Sequence, residues 1–231
     1  MDYSDTTVVI PTINEEKNIK SLIPLLLKYK KIQIIVVDDG SSDATLQVLK
    51  KFASKNRQVD FIDRKNERIH GLTISVLDGL QKTKTKYAIV MDGDLQHPPE
   101  KVKLMIKELR EGADIVVGVR ISVEEKWPLH RRIMSIAASG IGYFRLLIKG
   151  LLTNDILSGF FGIRADLAKK TISKNTSKFE PKGYKVLFDL LKLMNNKVKI
   201  AEVPYSFGSR TGGSSKIRLR HILLYARSVL K

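Results

Sequence analysis

An α/β fold with a mostly parallel central sheet flanked by helices is predicted by three features of the sequence. Five short β-rich runs occur at residues 6–10, 32–37, 59–62, 87–91 and 115–119. Each gap between them carries a helix-like pattern, and alternation of this kind reads as βαβ units. Four of the five segments that follow the runs carry a carboxylate: 11–15, 38–43, 63–64 and 92–96, the fifth being Arg120. Ligands of such sheets bind beyond the carboxyl ends of the strands, so these acids are expected to converge on one cleft.

The first run, entered from Met1-Asp2-Tyr3-Ser4-Asp5 without a basic leader, gives no sign of a secretory signal. The second is followed by Asp38-Asp39-Gly40-Ser41-Ser42-Asp43. Paired anions at a strand end repel each other unless a ligand or cation offsets them, whereas Ser42 and Asp43 suit a helix cap. The fourth run opens onto Asp92-Gly93-Asp94-Leu95-Gln96. Two carboxylates one residue apart can both turn to a hard divalent cation where a glycine relaxes the backbone, and Gln96 adds a neutral oxygen. An isolated Asp-x-Asp is more often a solvated acidic turn, but its place after an apolar strand among other strand-end acids reverses that reading here. Asp94 is expected on a solvent-facing rim outside the core.

The second half is less regular. It shows a long helical pattern at 130–149, a Gly/Phe-rich segment at 158–162, a helix at 184–194, a strand at 198–203 and a Gly/Ser-rich loop at 208–216. Arg120, Arg131, Arg210 and Lys216 sit beside small or turn-forming residues, and Arg offers a planar fork for phosphate oxygens. Arg210 and Lys216 flank a loop whose backbone N–H groups suit an anion, though an ordinary basic loop looks the same. No repeat or linker-like boundary divides the chain, so one domain over residues 1–231 is expected.

Composition narrows the chemistry. The 231 residues are 43% hydrophobic, enough for a real core, and contain no Cys, which removes disulfides and thiolate chemistry. With 41 Lys+Arg against 24 Asp+Glu the formal charge is +17, which attracts polyanions of any kind. Aromatic content of 7% supplies no stacking array for single-stranded nucleic acid, and carboxylates at strand ends would repel phosphates, so no nucleic acid partner is expected. There is no G-x-G-x-x-G after the first run and no P-loop, and the four His lack zinc-ligand spacing and read as local hydrogen-bonders. No stretch reaches the ~18–20 apolar residues of a bilayer-spanning helix. The longest, 133–144, is bracketed by Arg132 and Arg145 and suits a buried or interfacial helix.

Five motifs in order carry a resemblance. Val9-Ile10-Pro11-Thr12-Ile13-Asn14-Glu15, Val36-Val37-Asp38-Asp39-Gly40-Ser41-Ser42-Asp43 and Met91-Asp92-Gly93-Asp94-Leu95-Gln96-His97-Pro98-Pro99-Glu100 come first. Ser158-Gly-Phe-Phe-Gly162 and Val203-Pro-Tyr-Ser-Phe-Gly-Ser-Arg210 with Gly213-Ser-Ser-Lys216 follow. Together they resemble the family 2 glycosyltransferases of GT-A fold, and within them the dolichyl-phosphate mannose synthases, over nearly the whole chain. The resemblance implies Mg²⁺ or Mn²⁺ on Asp92, Asp94 and Gln96. It implies a nucleotide sugar, GDP-mannose, against Pro11, Ile13, Glu15, Val37, Asp39, Asp63, Asp92, Gly93, Asp94 and Gln96. Asp94, Arg120, Arg131 and Arg210 take catalytic roles by the same likeness, and Arg120, Arg131, Ser135 and Lys216 meet the acceptor phosphate. Two departures stand out: Ile13 where the family often has Tyr, and Asn154-Asp155-Ile156-Leu157 where it often has Asp-Pro before Ser-Gly-Phe-Phe.

Residues 1–120 are then the nucleotide-sugar-binding half and 121–231 the acceptor half. A polyprenyl or dolichyl phosphate acceptor is already an anion, so no general base is required. Transfer is expected to invert the anomeric carbon, at the cytoplasmic face of an anionic membrane surface, where the 133–148 segment rests either on lipid or in the core. The rival expectation is a UDP-glucose-dependent relative, or one with a hydroxyl acceptor, for which Asp155 is the candidate base.

Overall fold

The computed structural model describes residues 1–123, 143, 146–151, 153–194 and 197–207. Arg131, Ser135, Arg210 and Lys216, most of the 130–149 pattern and the 208–216 loop lie outside them. The strands are β1 (Thr6–Thr12), β2 (Gln33–Asp38), β3 (Val59–Asp63), β4 (Tyr87–Val90), β5 (Ile115–Val123), β6 (Phe161–Arg164) and β7 (Ile200–Phe207). They form one sheet in the order β3-β2-β1-β4-β6-β5-β7. β1 pairs in parallel with β2 and β4, β2 with β3, and β5 with β7, while β6 runs antiparallel between β4 and β5. Reversing only β6 keeps six carboxyl ends on one rim, to which β6 brings its amino end.

Side chains of successive strand residues point to opposite faces, and the apolar runs fill both. Val8, Ile10, Ile34 and Val36 pack on one side with α1 (Glu16–Leu27), α2 (Thr45–Lys55) and α4 (Val102–Arg110). Val9, Ile35, Val37 and Val90 pack on the other with α3 (Leu72–Lys82), α5 (Ala165–Asn175) and α6 (Val186–Leu193). No described helix is long and apolar enough to cross a membrane.

β1 runs two residues past its sequence-predicted end and includes Pro11, which cannot donate to a ladder. Its neighbour Val9 faces β4, since the Val9 carbonyl accepts from Met91 N–H, so residue 11 faces the same way. β4 pairs only as far as Val9, and the missing N–H therefore breaks no bond. β6 escaped the pattern reading: it has four residues with a glycine at its second position, too short for a periodicity to register.

Candidate active site

The loops after β1 and β2 are knitted together. Asn14, in the left-handed region at φ 53°, receives at Oδ1 the N–H groups of Ser42 (2.7 Å) and Asp43 (3.4 Å), and its own N–H donates to Ser41 Oγ (2.8 Å). Ser41 Oγ in turn donates to Asp38 Oδ1, and Ser41 N–H to Asp38 Oδ2 at 3.0 Å, so buried Asp38 is satisfied within its own turn. Asp43 accepts from Thr45 N–H at 2.9 Å and serves the start of α2 as expected, while Ser42 serves Asn14 instead.

Asp39 is offset from within the protein. Arg64, at the end of β3 and 3% exposed, donates from Nε to Asp39 Oδ1 at 3.1 Å. Its other nitrogens meet Asp78 of α3 and the Ile69 carbonyl (2.6 Å). Gly71 N–H donates to Asp39 Oδ2 at 2.7 Å, and His70 Nδ1 lies 3.2 Å from Oδ1. One guanidinium thus ties β2, the β3–α3 loop and α3 to the carboxylate whose partner the sequence left to a ligand or cation. Gly71 is required by proximity: a Cβ there would stand 2.6 Å from the Pro181 carbonyl oxygen.

Beyond β4, Asp92 N–H donates to His97 Nδ1 at 3.0 Å. The ring proton of His97 is therefore on Nε2, which lies 3.9 Å from Asp92 Oδ2, outside hydrogen-bond range. Burial drives the pKa of this histidine down despite the nearby Asp92, Asp94 and Asp155 charges, so the ring is neutral. It stacks on Phe160, with centroids 5.1 Å apart, and meets Tyr205 and Phe207 edge-on. Asp94 accepts Gln96 N–H at 3.1 Å, and Leu95 adopts φ 64° to close the turn. Contrary to the expected solvent-facing rim, Asp94 is 4% exposed; the turn folds it inward, and Asp92 is the more open of the two.

The donor set of Asp92, Asp94 and Gln96 is all hard oxygen, which suits Mg²⁺ or Mn²⁺. Space is kept beside it by Gly159, where a Cβ would come 3.4 Å from Asp92 Oδ2. Beneath Gly93, the buried Thr12 hydroxyl has no hydrogen-bond partner among the described residues. The residues therefore fit a divalent cation. No described group of three or more His, Cys, Asp or Glu could hold one alone. Such a site is completed by substrate phosphate oxygens and water, as Mg²⁺ sites commonly are.

Arg120 ends the regular part of β5. It pairs with Tyr205 and Ser122 with Ser206, so Ile121 is an extra residue and the strand bulges beside the cleft. Arg120 grips Asp155 by both oxygens, Nε to Oδ2 at 2.6 Å and Nη2 to Oδ1 at 2.9 Å. Burial opposes its charge, but the Asp155 hydrogen bonds and attraction outweigh that and raise its pKa. Nη1 of Arg120 has no hydrogen-bond partner among the described residues. The Asp155 turn is itself anchored by Glu202 of β7, which accepts from Thr153 Oγ1 and Asn154 N–H (both 2.6 Å) and Asn154 Nδ2 (2.7 Å).

The structure brings Pro11, Ile13, Glu15, Asp39, Asp63, Asp92, Gly93, Asp94, Gln96 and Arg120 to the carboxyl-end side of the sheet or the turns that follow it. Val37 is there too, but its side chain lies in the core under α3 and does not face the rim. Sequence reasoning missed Arg64, Asp78, His97, Gly159 and Glu202. For Arg64 a signal existed, a base directly after a strand-end acid. His97 does bond locally, to Asp92 N–H, as expected of the histidines, but its ring partners Phe160 and Tyr205 are distant in sequence, as are the partners of the others.

Against known proteins, the model of glycosyl transferase family 2 matches residues 7–172. A Saccharomyces cerevisiae protein named dolichol-phosphate mannosyltransferase is 33% identical, over 99% of this chain and 86% of its own length. A Pyrococcus furiosus protein of the same name is also 33% identical, over 97% of this chain, which spans 62% of that longer relative. Among solved structures, glucosyl-3-phosphoglycerate synthase from Mycobacterium tuberculosis, in complex with Mn²⁺, UDP-glucose and glycerol 3-phosphate, superposes with a TM-score of 0.65. It is 21% identical over 97% of this chain and 77% of that one, a likeness of GT-A fold.

Proposed function

The chain belongs to glycosyl transferase family 2 and is a glycosyltransferase, and from that membership we propose that it transfers mannose from GDP-mannose to dolichyl or another polyprenyl phosphate, inverting the anomeric carbon. The observation that carries the acceptor class is the Arg120–Asp155 pair. Asp155 is the candidate base that a hydroxyl acceptor would require, and both its oxygens are engaged by Arg120. An acceptor that arrives as an anion needs no such base. The names of the relatives support the same acceptor.

In this reading the nucleoside lies over the ends of β1–β3, against Pro11, Ile13, Glu15, the Val37 backbone, Asp39 and Asp63. Asp92, Asp94 and Gln96 hold a divalent cation that, when bound, offsets charge on the departing diphosphate. His97 fixes the backbone of Asp92 and keeps water from the apolar side of the turn with Phe160 and Tyr205. Arg120, oriented by Asp155, directs Nη1 at a phosphate oxygen, and a preoriented donor of this kind needs no rearrangement as charge develops. Arg131, Ser135, Arg210 and Lys216 complete the phosphate contacts. Residues 1–231 act as one domain, nucleotide sugar on 1–120 and acceptor on 121–231. The +17 formal charge suits docking at the cytoplasmic face of an anionic membrane, each well-placed Lys or Arg contributing ~1 kcal/mol.

The test is a donor comparison. The purified protein is given a short polyprenyl phosphate in detergent with GDP-mannose or UDP-glucose, with Mn²⁺, Mg²⁺ or chelator, and the lipid product is identified by mass spectrometry. A mannosyl product dependent on metal is expected. Glucosyl transfer alone would replace the donor assignment.

A further inference from the structure

His70 stands at the rim where the proposed nucleoside would lie, and its geometry is more specific than a surface histidine needs. Nδ1 lies 3.2 Å from the Asp39 carbonyl oxygen and 3.2 Å from Asp39 Oδ1. Both are acceptors, so Nδ1 carries a ring proton, and in the Nδ1–H tautomer Nε2 is the ring's acceptor. Nε2 has no hydrogen-bond partner among the described residues, and the side chain is 44% exposed. The ring lies over the end of β2, since a Cβ on Gly40 would stand 3.5 Å from its Cε1. Asp39 is itself immobilised by Arg64 and Gly71, so the histidine is held by a fixed partner.

The surroundings suit a flat, partly apolar ligand. Ile69 and Leu72 bracket His70-Gly71 in the chain and are 42% and 37% exposed. Ile13, 36% exposed, follows Thr12, whose carbonyl accepts Asp39 N–H at 2.9 Å. These exposed apolar side chains, on the segments that meet at Asp39, are available for contact with the faces of a base, and Nε2 offers one directional hydrogen bond.

Building on the nucleotide-sugar reading above, we propose that His70 reads the nucleobase: Nε2 accepts a hydrogen bond from a base that carries a ring N–H, guanine or uracil, and so selects against adenine and cytosine. Guanine N1 and uracil N3 are protonated donors. In the same pose adenine N1 and cytosine N3 are bare acceptors, which set lone pair against lone pair and leave both desolvated without a partner. The discrimination is built into the protein's own hydrogen-bond order, because Asp39 dictates which ring nitrogen of His70 is protonated.

Calorimetric titration of GDP, UDP, ADP and CDP, each with Mn²⁺ at neutral pH, tests this on the full chain and two variants. In the native protein GDP or UDP is expected to bind roughly tenfold more tightly than ADP and CDP. His70→Phe keeps a ring without Nε2, and His70→Asn keeps an amide donor to Asp39 with no acceptor at the outer position. Both are expected to bring the four affinities to within about twofold or threefold of one another. A residue that only braces the loop would lower all four together and leave their ratios intact. Unchanged ratios in the two variants, or no base preference in the native protein, would overturn the inference while leaving the nucleotide reading in place. Failure of the native protein to bind any of the four would overturn both.

Discussion

Arg120 and Asp155 meet fork to fork across the bulged end of β5 and the turn before β6, with both nitrogen–oxygen distances under 3.0 Å. Removing the carboxylate leaves a largely buried guanidinium without its counter-charge, which costs more than the pair itself contributed. Asp155→Ala is therefore expected to cost about 3 kcal/mol in urea unfolding and to lower turnover at least tenfold. Asp155→Asn, which keeps one acceptor oxygen, should lose less of each. Turnover undiminished in Asp155→Ala would detach the pair from catalysis.

Asp94→Asn should abolish metal-dependent transfer and leave the fold intact. Because Asp94 is buried and its Oδ1 accepts Gln96 N–H, the isosteric amide is the informative change, retaining that bond while removing a charge. Circular dichroism reports the fold, and turnover against Mn²⁺ concentration reports the site. Near-normal turnover at ordinary Mn²⁺ levels would show that Asp94 is not a ligand.

Much of the site could be read because parallel sheets expose their chemistry at strand ends. The apolar runs of β1, β2 and β4 are buried on both faces, which makes them conspicuous, while β3 at the sheet edge is only partly buried; Asp39, Asp63 and Asp92 lie where these runs stop. What stayed hidden depends on contacts between distant segments. Arg64 is one of 41 basic residues until the fold brings Asp39, Ile69 and Asp78 around it. The inward turn of Asp94 follows from the left-handed Leu95 and the His97 bond to Asp92, neither of which has a periodic signature.

Glu202 makes acid stability a reporter of the Asp155 turn. Burial would raise its pKa, but hydrogen bonds from Thr153 and Asn154 outweigh this and lower it from 4.5. A carboxylate with a depressed folded-state pKa stabilises above its unfolded value and loses that contribution as pH falls through the folded one. The stability difference between the native protein and Glu202→Gln should therefore be full at neutral pH and shrink below about pH 4.5. Denaturant midpoints measured from pH 7 to 3 check this, and a difference independent of pH would contradict it.

Gly71→Ala should weaken nucleotide binding and the fold together. The added Cβ would meet the Pro181 carbonyl oxygen at 2.6 Å and Lys182 Cα at 2.8 Å, both backbone atoms, so the loop or the start of α3 must shift. A cost of about 1–3 kcal/mol is expected from such overpacking. Displacement of Gly71 N–H also removes a bond from Asp39. Unfolding by urea and titration with GDP measure the two effects, and native values for both would contradict the account.

The central claim is that the acceptor arrives as a phosphate and needs no base. Initial rates of mannose transfer from GDP-mannose, with Mn²⁺ in detergent, should be compared for a short polyprenyl phosphate and the matching free polyprenol. The account predicts transfer to the phosphate and at least a hundredfold slower reaction with the alcohol, since losing general-base assistance alone costs about 10²–10⁴-fold. Comparable rates on the two acceptors would contradict it and return Asp155 to the role of base.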